Sequence, residues 1–212
     1  MDDAAREISI YPDIRDPRVM AAVPRPQRAA MAALWALAER LTKLLYDARE
    51  PLIGQIKLAW WRDMVAMLAR DPEGLPKGEP LLAELTATWA GQRGLDSLVD
   101  AAEAVLLADD AAAQQIAAAA FGDALFALSG GQGKSGARWG LVWGAGLQQG
   151  AADARDYFAA ARRLSPPARR SFNRNRALLM LDRWAAAIAQ NDGERRWRSE
   201  GLLLLRIGLI GR

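Results

Sequence analysis

The 212-residue chain contains no cysteine and no histidine. Without thiols it has no disulfide, no thiolate nucleophile and no cysteine zinc site, a composition that suits a reducing cytoplasm. Without imidazoles it cannot assemble a Ser-His-Asp or Cys-His centre, nor the histidine ligand sets of most transition-metal sites. Carboxylates, Lys, Arg, Tyr, Ser and Thr are what remain for chemistry.

Long hydrophobic runs are also missing. The most apolar stretch, Gly201 to Gly211, is short and interrupted by Arg206, whereas a span across lipid needs about 20 largely apolar residues. The start, Met1 to Glu7, is acidic and leads into no apolar segment, so it does not read as a secretory signal. The expected location is cytoplasmic. Alternation of Val, Ile and Thr, the mark of strands, is almost absent, while about a fifth of the residues are Ala and Leu is frequent. The expected fold is therefore all-α, and the length and 51% hydrophobic content suit a single domain.

The net charge of +3 is unevenly placed. From Ala161 to Arg212 there are 12 Arg against 4 acidic residues, and before that 16 basic against 21 acidic. A basic face attracts nucleic acid, an anionic membrane surface or phosphorylated ligands, although Arg scattered on helices is most often a solvated face.

Residues 1 to 26 hold four of the ten prolines, Pro12, Pro17, Pro24 and Pro26, and read as an extended or partly disordered, flexible lead-in before a helical domain over 27–212. Eight or nine helices are expected there. In the first, Met31, Leu34, Ala38, Leu41 and Leu45 form an apolar stripe with Glu39 and Lys43 beside it as a favourable i, i+4 pair. Pro51 opens a second helix that Asp71-Pro72 closes, with Ile53, Ile56, Trp60, Met64 and Met67 expected on its inward face. After a loop over Glu73 to Gly78, helices are expected at Leu81 to Trp89, Leu95 to Leu107 and Ala111 to Leu128, the last capped by Asp109-Asp110. Ser129 to Gly136 reads as a hinge or surface loop. Trp139 to Gln149 follows, with Gly140, Gly144 and Gly146 spaced to admit another helix closely, then Asp153 to Leu164, Ser171 to Gln190 and Ser199 to Ile210.

Three groupings carry possible chemistry. Gly130-Gly-Gln-Gly-Lys-Ser135 approaches a phosphate loop, but the spacing requires Gly where Leu128 stands, and no strand precedes it. Asp153 and Asp156 have the i, i+3 spacing of paired metal ligands, yet acids just after Gly150 are better explained by the helix dipole and capping. Trp60-Trp61-Arg62 reads as core packing with an Arg near an indole.

Arg49 to Asp63, Arg-Glu-Pro-Leu-Ile-Gly-Gln-Ile-Lys-Leu-Ala-Trp-Trp-Arg-Asp, closely resembles a signature stretch of the squalene/phytoene synthase family. It is similar in particular to the bacterial branch and to the mitochondrial complex I assembly factor branch, whose preceding helix has lost its aspartates. Ala118 to Ala127 is similar to the family's central helix, and Asn175 to Trp184 through Leu202 to Arg212 to its C-terminal helices. The resemblance implies an isoprenoid-synthase-like helical bundle. Glu50, Pro51, Gly54, Gln55, Trp60 and Trp61 match its signature and are expected to be mainly structural, while Glu39, Lys43, Arg62 and Asp123 are the candidates for the cavity or a diphosphate.

Active members of that family condense two prenyl diphosphates, holding Mg²⁺ with two Asp-x-x-x-Asp motifs because a departing diphosphate must be neutralised. Here the first motif falls on Ala38 to Lys43 and reads Glu39 followed by Lys43. The second, expected between Trp139 and Leu164, does not appear. The implied protein is catalytically degenerate, needs no cofactor, and binds an isoprenoid or lipid-like ligand or a protein partner, as an assembly factor does. An active prenyltransferase using Mg²⁺, or using Lys43, Arg62 and C-terminal Arg in place of metal, is the alternative. A nucleic-acid binder built on Arg162 to Arg212, with Phe172, Trp184 and Trp197 as its few aromatics, ranks last. Peripheral membrane contact is a further expectation, through the basic C-terminal helices.

Overall fold

A computed structural model describes residues 11–48, 50–173 and 175–211. The acidic start and the rest of residues 1–10 lie outside it. Among the described residues there are ten α-helices and no strand, so the chain is all-α as expected.

The lead-in is less extended than its prolines suggest. Asp16 accepts the Arg18 N–H and Pro17 occupies the first turn of α1 (Pro17–Ala22), where a missing donor costs nothing. Ile14, Val19 and Val23 are buried, so this segment belongs to the core. α2 (Arg28–Asp47) buries Met31, Leu34, Ala38 and Leu41 as its stripe predicts.

α3 (Pro51–Arg70) is rotated relative to expectation. Gly54, Leu58, Trp61, Met64, Val65 and Leu68 face inward, while Ile53, Ile56 and Trp60 are exposed. Both faces of this helix are apolar, so spacing alone does not select one. α4 (Pro80–Trp89) follows, with Glu79 accepting the Leu81 N–H, and α5 (Leu95–Leu107) starts after Gly94 at φ 108°. That left-handed conformation favours glycine.

α6 (Ala111–Leu128) starts where Asp110 accepts the Ala113 N–H at 2.7 Å, the predicted cap. At a mean hydropathy of 1.3 it is long and apolar enough to cross a bilayer, but here it packs on α5 and α7 (Ala137–Ala145). Every residue of α7 is buried. A Cβ on Gly140 would lie 2.2 Å from the Ala118 carbonyl oxygen, and one on Gly122 2.3 Å from that of Gly136. The glycines thus let the two backbones touch, with Gly144 admitting Tyr157 of α8 (Ala151–Arg163).

The segment before α7 is anchored rather than a free hinge. Gly131 N–H donates to the Phe126 carbonyl, Gln132 N–H donates to that of Ser171, and Ser135 is buried. α9 (Arg176–Gln190) begins later than expected because a 3₁₀ turn occupies 169–172. α10 (Trp197–Ile210) closes the bundle against α9 and α1.

Candidate functional site

The resemblance expects an isoprenoid cavity between the helices that carry Glu39 and Asp123. That space is filled by aromatic side chains. Trp143 stacks on Phe121 with centroids 4.1 Å apart, Trp139 stacks on Trp143 at 6.3 Å, and Trp35 meets Trp139 edge-on at 5.2 Å. Phe126 touches both Trp35 and Trp139. A buried indole must place its N–H, and all three do: Trp35 on Ser129 Oγ, Trp139 on the Pro12 carbonyl and Trp143 on Thr42 Oγ1. The stack is satisfied and closed.

Beside it, on the outer side of α2, runs a groove of about 970 Å³ whose walls come from the lead-in, α4 and the segment joining α7 to α8. Ala36, Leu81, Leu147 and Ala154 give it an apolar floor, and Arg15, Glu39, Arg40 and Lys43 a charged rim. The rim cations are neutralised. Arg15 bonds Asp13 and Glu39 at 3.0 and 2.8 Å, Arg40 bonds Glu79 at 3.1 Å while lying over the Trp61 ring, and Lys43 pairs with Asp47 at 3.1 Å. The Arg40 hydrogen bond holds the Glu79 carboxyl below its ordinary range. Burial lowers Arg15, but its bonds to Asp13 and Glu39 outweigh that and raise it.

The expected Glu39–Lys43 ion pair is therefore not formed. Arg15 from the lead-in and Asp47 one turn on take the two partners instead. Glu39 and Lys43 do share the groove, but Arg62 and Asp123 do not line it. Arg62 spans from α3 to α5, bonding Asp100 and Glu103 at 2.7 Å each. Asp123 accepts the Gly136 N–H at 2.9 Å at the start of α7. Burial pushes its carboxyl up against the pull of the Gly136 and Ala137 N–H groups and of Lys134. Among the described residues no three acidic side chains converge in a way that could hold a metal ion.

The signature stretch is divided between packing and exposure. Pro51 starts α3 after Glu50, which makes no side-chain cap bond. Gly54 sits against Leu106 so closely that a Cβ would lie 2.8 Å from it, and Gln55 is half-buried. Trp61 is buried with Trp60 edge-on to it at 5.0 Å. Leu52, Ile53, Ile56 and Trp60 form an exposed apolar strip. The Arg near the buried indole is Arg40 of α2 rather than the neighbouring Arg62.

Asp153 lies in the first turn of α8, and Gly150 before it offers no side-chain cap, so this acid complements the dipole without capping. Of the C-terminal aromatics, Phe172 and Trp184 are buried, and Trp197 is covered by the Arg195 guanidinium 4.0 Å above its ring. Sequence reasoning missed Arg15 and Arg40. Arg15 stood in a segment read as extended, and Arg40 carried no motif. Comparison with known protein families, with curated proteins and with solved structures finds no match.

Proposed function

We propose that the chain is a catalytically degenerate squalene/phytoene synthase-like protein that acts by binding with its outer surface rather than by turning over an isoprenoid inside its bundle. The observation that carries this reading is the stack of Trp35, Phe121, Phe126, Trp139 and Trp143 where a prenyl chain would have to lie. Close-packed rings leave no room for such a chain. The ionic partners of Lys43 and Arg62 support it further, because a diphosphate would have to displace Asp47, Asp100 and Glu103 at two separate places.

On this reading the groove takes the lipid-like ligand, since its volume is that of small-molecule sites and it joins an apolar floor to a charged rim. The strip of Leu52, Ile53, Ile56 and Trp60 serves a protein partner.

Titration with farnesol and farnesyl diphosphate, with and without Mg²⁺, tests the ligand arm. Saturable binding should be independent of Mg²⁺ and lost in Ala151→Trp, which fills the groove from an exposed position. Binding that requires Mg²⁺, or that survives this substitution, contradicts the reading.

A further inference from the structure

α10 is apolar on two opposite faces. Leu204 and Ile207 are buried, whereas Leu202, Leu205 and Leu209 are exposed by 69%, 56% and 73%. Their spacing of three and four residues places them in one outward stripe. Ile210 is exposed as well, and so is the face of Trp197 that Arg195 does not cover. Among the described residues the fold covers only the inner face, and a helix that presents three leucines outward from Leu202 to Leu209 suits a second apolar environment.

The charges around the stripe identify that environment. Arg196, Arg198 and Arg206 are exposed. The acid within α10, Glu200, is buried and held by Arg195 and Trp184, so it presents no negative charge outward. Alongside, between α9 and α10, lies an apolar recess of about 180 Å³ over Leu179, Leu203 and Ile207, with Arg169, Arg183 and Arg206 at its edge. Neither Arg169 nor Arg206 has a carboxylate partner among the described residues, and Arg183 has only Asp182 at 3.5 Å. Arg206 borders both the recess and the stripe.

We propose that α10 docks the protein on an anionic phospholipid surface. The three leucines enter the boundary between headgroups and acyl chains, and the exposed Arg169 and Arg206 beside the apolar recess meet lipid phosphates. Guanidinium groups suit this position because they bind phosphate bidentately while their stems lie along apolar surface. A helix lying in the interface with a basic rim gains from both the buried apolar area and the attraction to anionic lipid. A second copy of the chain is the poorer occupant. Pairing two stripes about a two-fold axis would bring Arg198 and Arg206 of both copies together with no acid between them. The inference does not depend on what the groove binds.

The absence of cysteine allows a direct test. Single variants Leu205→Cys and, in the exposed 3₁₀ turn after α3, Glu73→Cys are labelled with an environment-sensitive dye. They are mixed with vesicles of phosphatidylcholine alone or with phosphatidylglycerol. The protein should float with the anionic vesicles only, and the label at 205 should shift to the blue while that at 73 does not. Arg169→Gln and Arg206→Gln should each lower partitioning about fivefold. Leu202→Glu with Leu209→Glu should lower it at least about tenfold while circular dichroism and the urea midpoint are unchanged, because both sites are exposed. The proposal is overturned by absence of flotation, or by flotation that survives the leucine substitutions. Binding of glycerol phosphate without vesicles, or a dimer that those substitutions dissolve, also overturns it.

Discussion

The Trp143 indole N–H donates to the Thr42 hydroxyl at 3.0 Å, so the turn of α2 that carries Glu39 and Lys43 is tied from its inner side to the aromatic stack. Thr42 in turn donates to the Ala38 carbonyl at 2.7 Å. That turn, which carries Glu39 and Lys43 on its outer side, supports packing on its inner side.

Trp143→Ala should cost about 3 to 5 kcal/mol, because it deletes the ring stacked on Phe121 and leaves a void lined by Trp139 and Phe121. Urea unfolding measures it. A loss under about 1 kcal/mol would mean that the site collapses freely and is not a packed stack.

The α6–α7 crossing predicts an order among glycines. A Cβ at Gly140 meets backbone at 2.2 Å, whereas one at Gly144 meets the Tyr157 ring and the Ala118 Cβ at 2.6 and 2.7 Å. Side chains yield more readily than two packed backbones. Gly140→Ala should therefore cost at least about 3 kcal/mol and Gly144→Ala less, as thermal midpoints of the two variants would show. The reverse order contradicts the described contact.

How much of this could be read in the sequence depended on whether one face or two were apolar. α2 alternates clearly, so Met31, Leu34, Ala38 and Leu41 were found at once. α3 carries Ile53, Ile56 and Trp60 on one side and Leu58, Trp61 and Val65 on the other, and only the tertiary packing, with Gly54 against Leu106, selects the second. α1 was not legible, because the four prolines of residues 1–26 masked its Asp16-Pro17 start. Partners distant in sequence were not legible: Asp123 meets Gly136 across a loop, and Arg15 reaches Glu39 from a segment with no periodicity.

The buried pair of Arg138 and Asp182, 2.8 Å apart, joins α7 to α9. Removing one member strands the other charge, so Asp182→Ala should cost about 3 to 5 kcal/mol. Arg138→Met combined with Asp182→Leu should recover part of it, and a double-mutant cycle in urea measures the coupling. Additive losses would contradict a direct pair.

Glu200 predicts a pH dependence. Burial pushes its carboxyl up, but hydrogen bonds from Arg195, from the Trp184 indole at 2.7 Å and from the Arg196 N–H at 2.6 Å outweigh this and hold it below the ordinary 4.5. The unfolded chain then binds that proton more tightly. The stabilisation is present above pH 4.5 and is lost as the pH falls through the lower native value. Glu200→Gln should be less stable at pH 7 by about 1 to 3 kcal/mol, with the gap closing below pH 4.5. Urea midpoints of both proteins from pH 7 to pH 3 measure this, and a gap constant with pH contradicts it.

The central claim is that the bundle interior is packing and not a reaction chamber. Pyrophosphate release from farnesyl and geranylgeranyl diphosphate, followed with saturating Mg²⁺ and the purified 212-residue chain, tests it most directly. The account predicts release no faster than in buffer. Sustained multiple turnover that Glu39→Gln abolishes would contradict it.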